Sequence, residues 1–177
     1  MTNNINPTPE VIVHNLSDDS TFPNNGKLPL IVFQKAFRFE GKGDPAFIER
    51  TFSGNLWGGG WRNGLYPVHH YHSTAHEVLG IYSGSVRVQF GGEEGPLLVA
   101  NTGDVVVVPA GVAHKNIWSS HDFRVAGAYP EGTTWDMNYG KEGERPGADT
   151  NIANVPFPLT DPVFGKDGLL MQHWEKY

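Results

Sequence analysis

Five histidines and one glutamate stand where they could share a metal ion. His69, His70, His72 and His76 fall within one short stretch, Glu77 follows directly, and His114 lies far along the chain. On an extended strand side chains alternate between faces, so His70 and His72, two residues apart, point to the same side. Ser73 and Thr74 predict a turn that brings the next strand back, from which Glu77 reaches the same space. His114 enters after the Pro109-Ala110-Gly111 turn. Three neutral imidazoles and one carboxylate suit nitrogen- and oxygen-preferring divalent ions: Fe, Mn, Ni, Co or Zn. With no cysteine in the chain, a thiolate ligand, a disulfide and a thiol nucleophile are all excluded. Two histidines and a carboxylate are the ligand set of non-haem iron oxygenases, and a third histidine still leaves two positions of an octahedral ion open for chemistry. The competing reading is a group of hydrogen-bonded core or surface histidines that binds nothing.

Neighbouring residues follow from the same alternation. If the ligand strand runs unbroken, Tyr66 shares the inward side with His70 and His72, while Asn116 and Trp118 share a side with His114. Tyr66, Asn116 and Trp118 are therefore candidates for a substrate pocket, with Phe90 and Tyr129 behind them. Tyr66 and His76 are the candidate proton-moving catalytic residues; His76 is either a surface residue or a partner that orients a ligand. His69 faces away from His70. Arg87 and Arg124 sit in strands and face solvent unless paired. Trp57, Trp61 and Arg62 flank a Gly-Gly-Gly bend that could form a pocket mouth or a dimer contact.

The elements that must hold these residues read as short strands. Glycine and proline number 22 and 13 among 177 residues and recur every few positions, leaving little room for long helices. Strands are expected at 11–16, 30–39, 46–52, 77–82, 85–90, 105–109, 114–119 and 123–129, with PLLVA supplying another before the Asn101-Thr102-Gly103 turn. Val105–Val108 is a β-branched run suited to a core strand. Near-regular strand spacing argues for an all-β barrel or sandwich. The expected organisation is an N-terminal arm (1–28), a barrel (29–130) and a C-terminal loop and tail (131–177) packed on it, with 131–152 as loop and Trp135, Phe157 and Trp174 structural.

Charge narrows the partners. A formal net charge of −6 with only 13 Lys and Arg provides no basic stripe for a phosphate backbone, so nucleic acid is not expected. The polar start MTNNINPTPE lacks the pattern of a secretory signal. No stretch approaches the roughly 18 apolar residues of a membrane helix. A cytoplasmic protein without membrane contact is the expectation.

The spacings also resemble those of a known family, the cupins. Gly64-LYPVH-His70-Tyr71-His72-STAH-Glu77-VLGIYS-Gly84 matches the first cupin motif, and Gly103-DVVVV-Pro109-Ala110-Gly111-VA-His114 matches the second as far as its histidine. The asparagine that the second motif places four residues later is Trp118 here, with Asn116 nearby. The resemblance covers about residues 55–130. Together with HEVLG and the tail DPVFGKDG, it is similar to the small single-domain cupins of the YjlB-like type. It implies a double-stranded β-helix (jelly-roll) barrel, metal ligation by His70, His72, Glu77 and His114, and an N-terminal strand that joins a neighbouring copy in a homodimer.

Three functions are compatible with such a site. The leading expectation is a metal-dependent oxygenase acting on a small organic substrate, with metal-assisted isomerisation or decarboxylation as a variant. The second is a non-enzymatic barrel that binds a small ligand, and the third a purely structural metal.

Overall fold

The computed structural model describes residues 4–176. In chain order the elements are β1 (Asn4–Ile5), β2 (Glu10–Leu16), β3 (Asn25–Gln34), β4 (Phe37–Arg38), α1 (Pro45–Gly54), β5 (Trp57–Asn63), β6 (Glu77–Ser83), β7 (Ser85–Phe90), β8 (Leu97–Asn101), β9 (Val105–Val108), β10 (His114–Ser119), β11 (Arg124–Pro130), α2 (Gly147–Asn154) and α3 (Leu169–Trp174).

The layering starts from β9. Its four valines are all buried, as a β-branched run covered on both faces should be. It pairs antiparallel with β3 and β6 at the centre of a six-stranded sheet, order β2-β3-β9-β6-β11-β5. Alternation sends Val105 and Val107 to one face and Val106 and Val108 to the other. The first pair packs with Ile48 and Phe52 of α1 and Leu170 and Trp174 of α3. The second packs with Leu79, Ile81, Val88 and Phe90 between the large sheet and a three-stranded sheet, order β10-β7-β8. Each such side chain, fully buried, stabilises by about 1.5–3 kcal/mol. The fold is thus mostly antiparallel sheet, with α1 and α3 on one face of the large sheet and the small sheet on the other.

The closed jelly-roll barrel expected from the strand count does not form. Both sheets are open: the large one ends at β2 and β5, the small one at β8 and β10. Closure would need a continuous strand through residues 64–72 alongside β10. That segment makes only isolated bridges, His70 with His114 and Tyr71 with Asn138. Pro67 is a local reason, since it has no N–H for a ladder and restricts the residue before it. The two bridges lie on opposite sides of the segment. His70 and His114 exchange backbone bonds of 3.2 and 3.0 Å, whereas Tyr71 exchanges bonds of 2.9 and 3.0 Å with Asn138.

Other elements differ from the sequence-based expectation. Residues 46–52 are helical: the Asp44 carboxylate accepts from the N–H groups of Ala46 and Phe47, Pro45 occupies the first turn, and Ile48 and Phe52 share the buried face. The glycine bend is an edge strand, β5, bulged opposite Gly127 and Tyr129. At Gly127 a Cβ would come within 2.3 Å of the Trp61 indole, so this glycine makes room for the ring. The 30–39 strand is broken at Lys35 (φ 54°), which leaves Phe33 in β3 and Phe37 in β4. Part of the expected 131–152 loop is α2. In the tail, Trp174 is buried and donates its indole N–H to the Pro29 carbonyl at 2.9 Å. Strand β2 pairs with β3 of its own chain. Among the described residues no helix is long and apolar enough to cross a membrane.

Candidate metal centre

Three separate stretches deliver the ligand-type side chains to one place. His70 and His72 come from the irregular segment between β5 and β6, Glu77 from the first residue of β6, and His114 from the first residue of β10. The ring nitrogens of His70, His72 and His114 that face one another lie within 4.8 Å, and all three residues are buried. Glu77, 2% exposed, points Oε2 at the Nε2 atoms of His72 (3.5 Å) and His114 (3.4 Å).

The tautomers follow from the other ring nitrogen. Nδ1 of His70 faces the Val68 carbonyl at 3.0 Å, Nδ1 of His72 the Asp136 carbonyl at 2.5 Å, and Nδ1 of His114 the Val112 carbonyl at 3.2 Å. A carbonyl only accepts, so each Nδ1 carries a proton and each ring, in its neutral form, presents a lone pair on Nε2. These lone pairs converge with Glu77 Oε2, and among the described residues both Oε2 and His114 Nε2 are buried without a hydrogen-bond partner. Burying acceptors against each other is costly unless a cation lies between them. The donor set therefore fits a divalent transition metal, with the imidazoles fixed by outer hydrogen bonds as metal-binding histidines usually are.

Charge in the cluster follows from its burial. Desolvation, aided by His114, pushes His70 down to about 3, so its ring is neutral and ready to ligate. Burial works against charge on His72 too, but the Glu77 carboxylate beside it reverses the balance and raises it. Burial alone would raise Glu77; the His72 and His114 rings more than offset that and hold its carboxyl well below the usual carboxylate range. Tyr129 orients Glu77 by donating its hydroxyl to Oε1 at 3.0 Å, while it accepts the Trp61 indole N–H at 2.9 Å. Burial and the neighbouring Glu77 raise the Tyr129 hydroxyl, which keeps it protonated.

A cavity of about 390 Å³ opens from this cluster. Of the residues proposed for it from sequence, Tyr66 and Tyr129 line it, and the Tyr66 ring meets His70 edge-on at 5.3 Å. Phe90 lies behind His114, fully buried, with ring centres 6.2 Å apart. Asn116 and Trp118 do not line the cavity. A bulge between them breaks the alternation carried over from His114, and Trp118 ends up exposed beside Arg87. His76 also lies elsewhere. As the residue preceding Glu77 it faces the other side of the large sheet, where its Nδ1 accepts the Ala110 N–H at 2.9 Å and its ring packs on Trp174. His69 faces away from His70 against Phe22, and Arg87 and Arg124 are exposed.

Sequence reasoning missed Trp135, Asp136, Leu65 and Met137. Trp135 stacks on Tyr129 at 5.7 Å and meets His72 at 5.5 Å. The Asp136 carboxylate accepts from the Ser73 N–H (2.6 Å), the Ser73 hydroxyl (2.5 Å) and Asn138 (2.8 Å), which pins the carbonyl that orients His72. A tryptophan in an otherwise polar stretch was the one available signal. Trp61 and Arg62, read as flanking a possible pocket mouth, do line the cavity.

No family model matches the chain. Solved structures with a partial likeness include RmlC from Streptococcus suis in complex with dTDP-D-xylose (12% identity, 88% of each chain, TM-score 0.36). A DUF861 family protein from Thermotoga maritima shows 25% identity over 40% of this chain and 75% of that one, with a TM-score of 0.30. The 11S globulin procruciferin from Brassica napus shows 18% identity over 45% of this chain, with a TM-score of 0.37; the chain spans about a fifth of that protein, 21%. Overlays this loose decide nothing about topology or activity. A Bacillus subtilis (strain 168) protein, the uncharacterized protein YjlB, is 42% identical over 159 residues, 90% of this chain and 93% of that one. Such identity along nearly the whole length of both chains makes this chain a member of the YjlB family.

Proposed function

We propose that the protein is a metal-dependent enzyme acting on a small organic molecule and, within that class, an oxygenase. The observation that supports this is the convergence of four buried ligand-type side chains at the floor of a cavity, with Glu77 Oε2 and His114 Nε2 left without a hydrogen-bond partner among the described residues. His70, His72, Glu77 and His114 would hold one divalent transition ion (Fe, Mn, Ni, Co or Zn), whose chemistry there is Lewis-acid polarisation or redox activation of a small molecule.

The remaining work falls to the chain. Nδ1–H bonds to three backbone carbonyls fix the imidazole planes, and Tyr129 holds Glu77 so that Oε2 faces inward. Trp61, Leu65 and Trp135 give the cavity its apolar walls. The Tyr66 ring lines the cavity edge-on to His70, and its hydroxyl would be the group that gives or takes a proton.

The test is elemental analysis of untagged protein purified anaerobically, beside His70→Ala, followed by oxygen-uptake assays on a panel of small organic substrates. One ion per chain, lost in the variant, together with substrate-dependent oxygen consumption, is the expected result. Full turnover without oxygen would overturn the oxygenase assignment in favour of an isomerase or decarboxylase. Failure to take up metal on reconstitution would overturn the metal centre itself.

A further inference from the structure

The cavity beside the cluster has an unusual balance of charge and ring surface. We infer that it takes a small aromatic monoanion: one ring carrying a single carboxylate or ionised hydroxyl, with the anionic group directed at the metal cluster. The inference rests on the metal-dependent reading above and goes on to name its substrate class.

Charge sets the head group. Glu77 cancels one of the two positive charges that a divalent ion brings, and the three histidines add none when they ligate as neutral rings. One net positive charge remains at the cavity floor. Among the cavity-lining residues described, Arg62 is the one fixed cation, and it is already engaged: its Nε and Nη2 each lie 2.6 Å from a carboxylate oxygen of Glu49. A bidentate pair of this kind leaves little charge for a ligand. A second anionic group would meet no partner, and desolvating it against the walls is unfavourable. Phosphates and dicarboxylates are thereby disfavoured.

The walls set the body. Tyr66 and Trp135 flank the cluster on the His70 and His72 sides, yet they are 55% and 49% exposed. Large aromatic faces half open to water gain little for folding, and their placement around one opening marks them for a ligand. Trp135 already stacks nearly parallel on Tyr129, with 19° between the planes, so a flat ring can extend the same stack. The volume of about 390 Å³ lies at the small end of the roughly 300–1,000 Å³ range of ligand pockets, which suits one or two rings.

The test uses full-length protein loaded with Co(II), followed first through the visible Co(II) spectrum and then by calorimetry with benzoate, acetate and isophthalate. One-to-one Co(II) binding that His70→Ala abolishes must come first, and its failure defeats the metal reading before any acid is added. On loaded protein, benzoate should bind at least tenfold more tightly than either acetate or isophthalate. In Trp135→Ala the preference for benzoate over acetate should fall about tenfold, the scale of one aromatic contact. Tyr66→Leu, altered on the opposite wall, should also reduce it. Equal or tighter binding of isophthalate, benzoate binding unchanged without Co(II), or a benzoate preference unaffected by both substitutions would overturn the proposal.

Discussion

Glu77 and Asp136 act on the cluster at different distances, and their substitutions should separate accordingly. Glu77 is the one charged member of the set, with Oε2 directed at the histidines and Oε1 held by Tyr129. Glu77→Gln keeps the shape and an acceptor for Tyr129 but removes the charge that a divalent ion needs. Its metal affinity should fall by more than the ~10–100-fold typical of losing an outer hydrogen-bond partner. Asp136→Ala removes no ligand; it frees the Ser73–Thr74 turn and the carbonyl that fixes His72. Its loss should fall within ~10–100-fold. Competitive metal titration of both variants checks the order, and an Asp136→Ala protein with unaltered affinity would remove Asp136 from this role. The four ligand-type residues could be read from spacing because strand alternation and two turns place them almost unaided. Asp136 and Trp135 could not, since they reach the cluster from a segment more than 60 residues beyond His72 and no local pattern records that return. His76 was legible in principle: as the immediate neighbour of an inward Glu77, it had to face the other way.

Helix α1 shows how a short amphipathic segment is decided by its ends. AFIERTF fits an alternating strand about as well as a helix turn, but Asp44-Pro45 supplies an N-cap and a first-turn proline, and Ile48 and Phe52 are spaced for one helical face. What the sequence alone could not disclose is the landing site. Gly80 of β6 is where the helix touches down: a Cβ there would lie 2.8 Å from Ile48 and 3.0 Å from Phe52. Gly80→Ala should destabilise by about 1–3 kcal/mol through overpacking, and Ile48→Ala by about 2–5 kcal/mol through the cavity it opens. The two changes compete for one space, so the double variant should be less destabilised than the sum of the singles, with a coupling of about 0.5–3 kcal/mol. Urea unfolding of the four proteins measures this cycle. Strict additivity would mean that α1 does not rest on Gly80.

At the scale of the whole molecule, most of the strands were legible and closure was not. Regular turns and apolar alternation foretell most of the strands, but whether a sheet closes depends on pairing between chain segments far apart, and here residues 64–72 contribute isolated bridges rather than a ladder while β2 and β8 also remain edges. The ligand set spans that opening. Glu77 belongs to the large sheet, His114 to the small one, and His70 and His72 to the segment between them. A bound ion would therefore add a link between β6 of the large sheet and β10 of the small one, which share no ladder, and by binding only the folded chain it would stabilise it by about 4 kcal/mol at a free concentration 1,000 times its dissociation constant. The added stability should also be uneven. Chelation should lower the thermal midpoint and speed amide exchange in β10 and residues 64–72, while the buried centre of the large sheet at β9 loses less protection relative to its own baseline. In His114→Ala, metal and chelator should leave both midpoint and exchange pattern the same. Thermal unfolding and hydrogen exchange with and without chelator make the comparison, and a uniform loss of protection across both sheets would show that the ion does not act as a clasp between them.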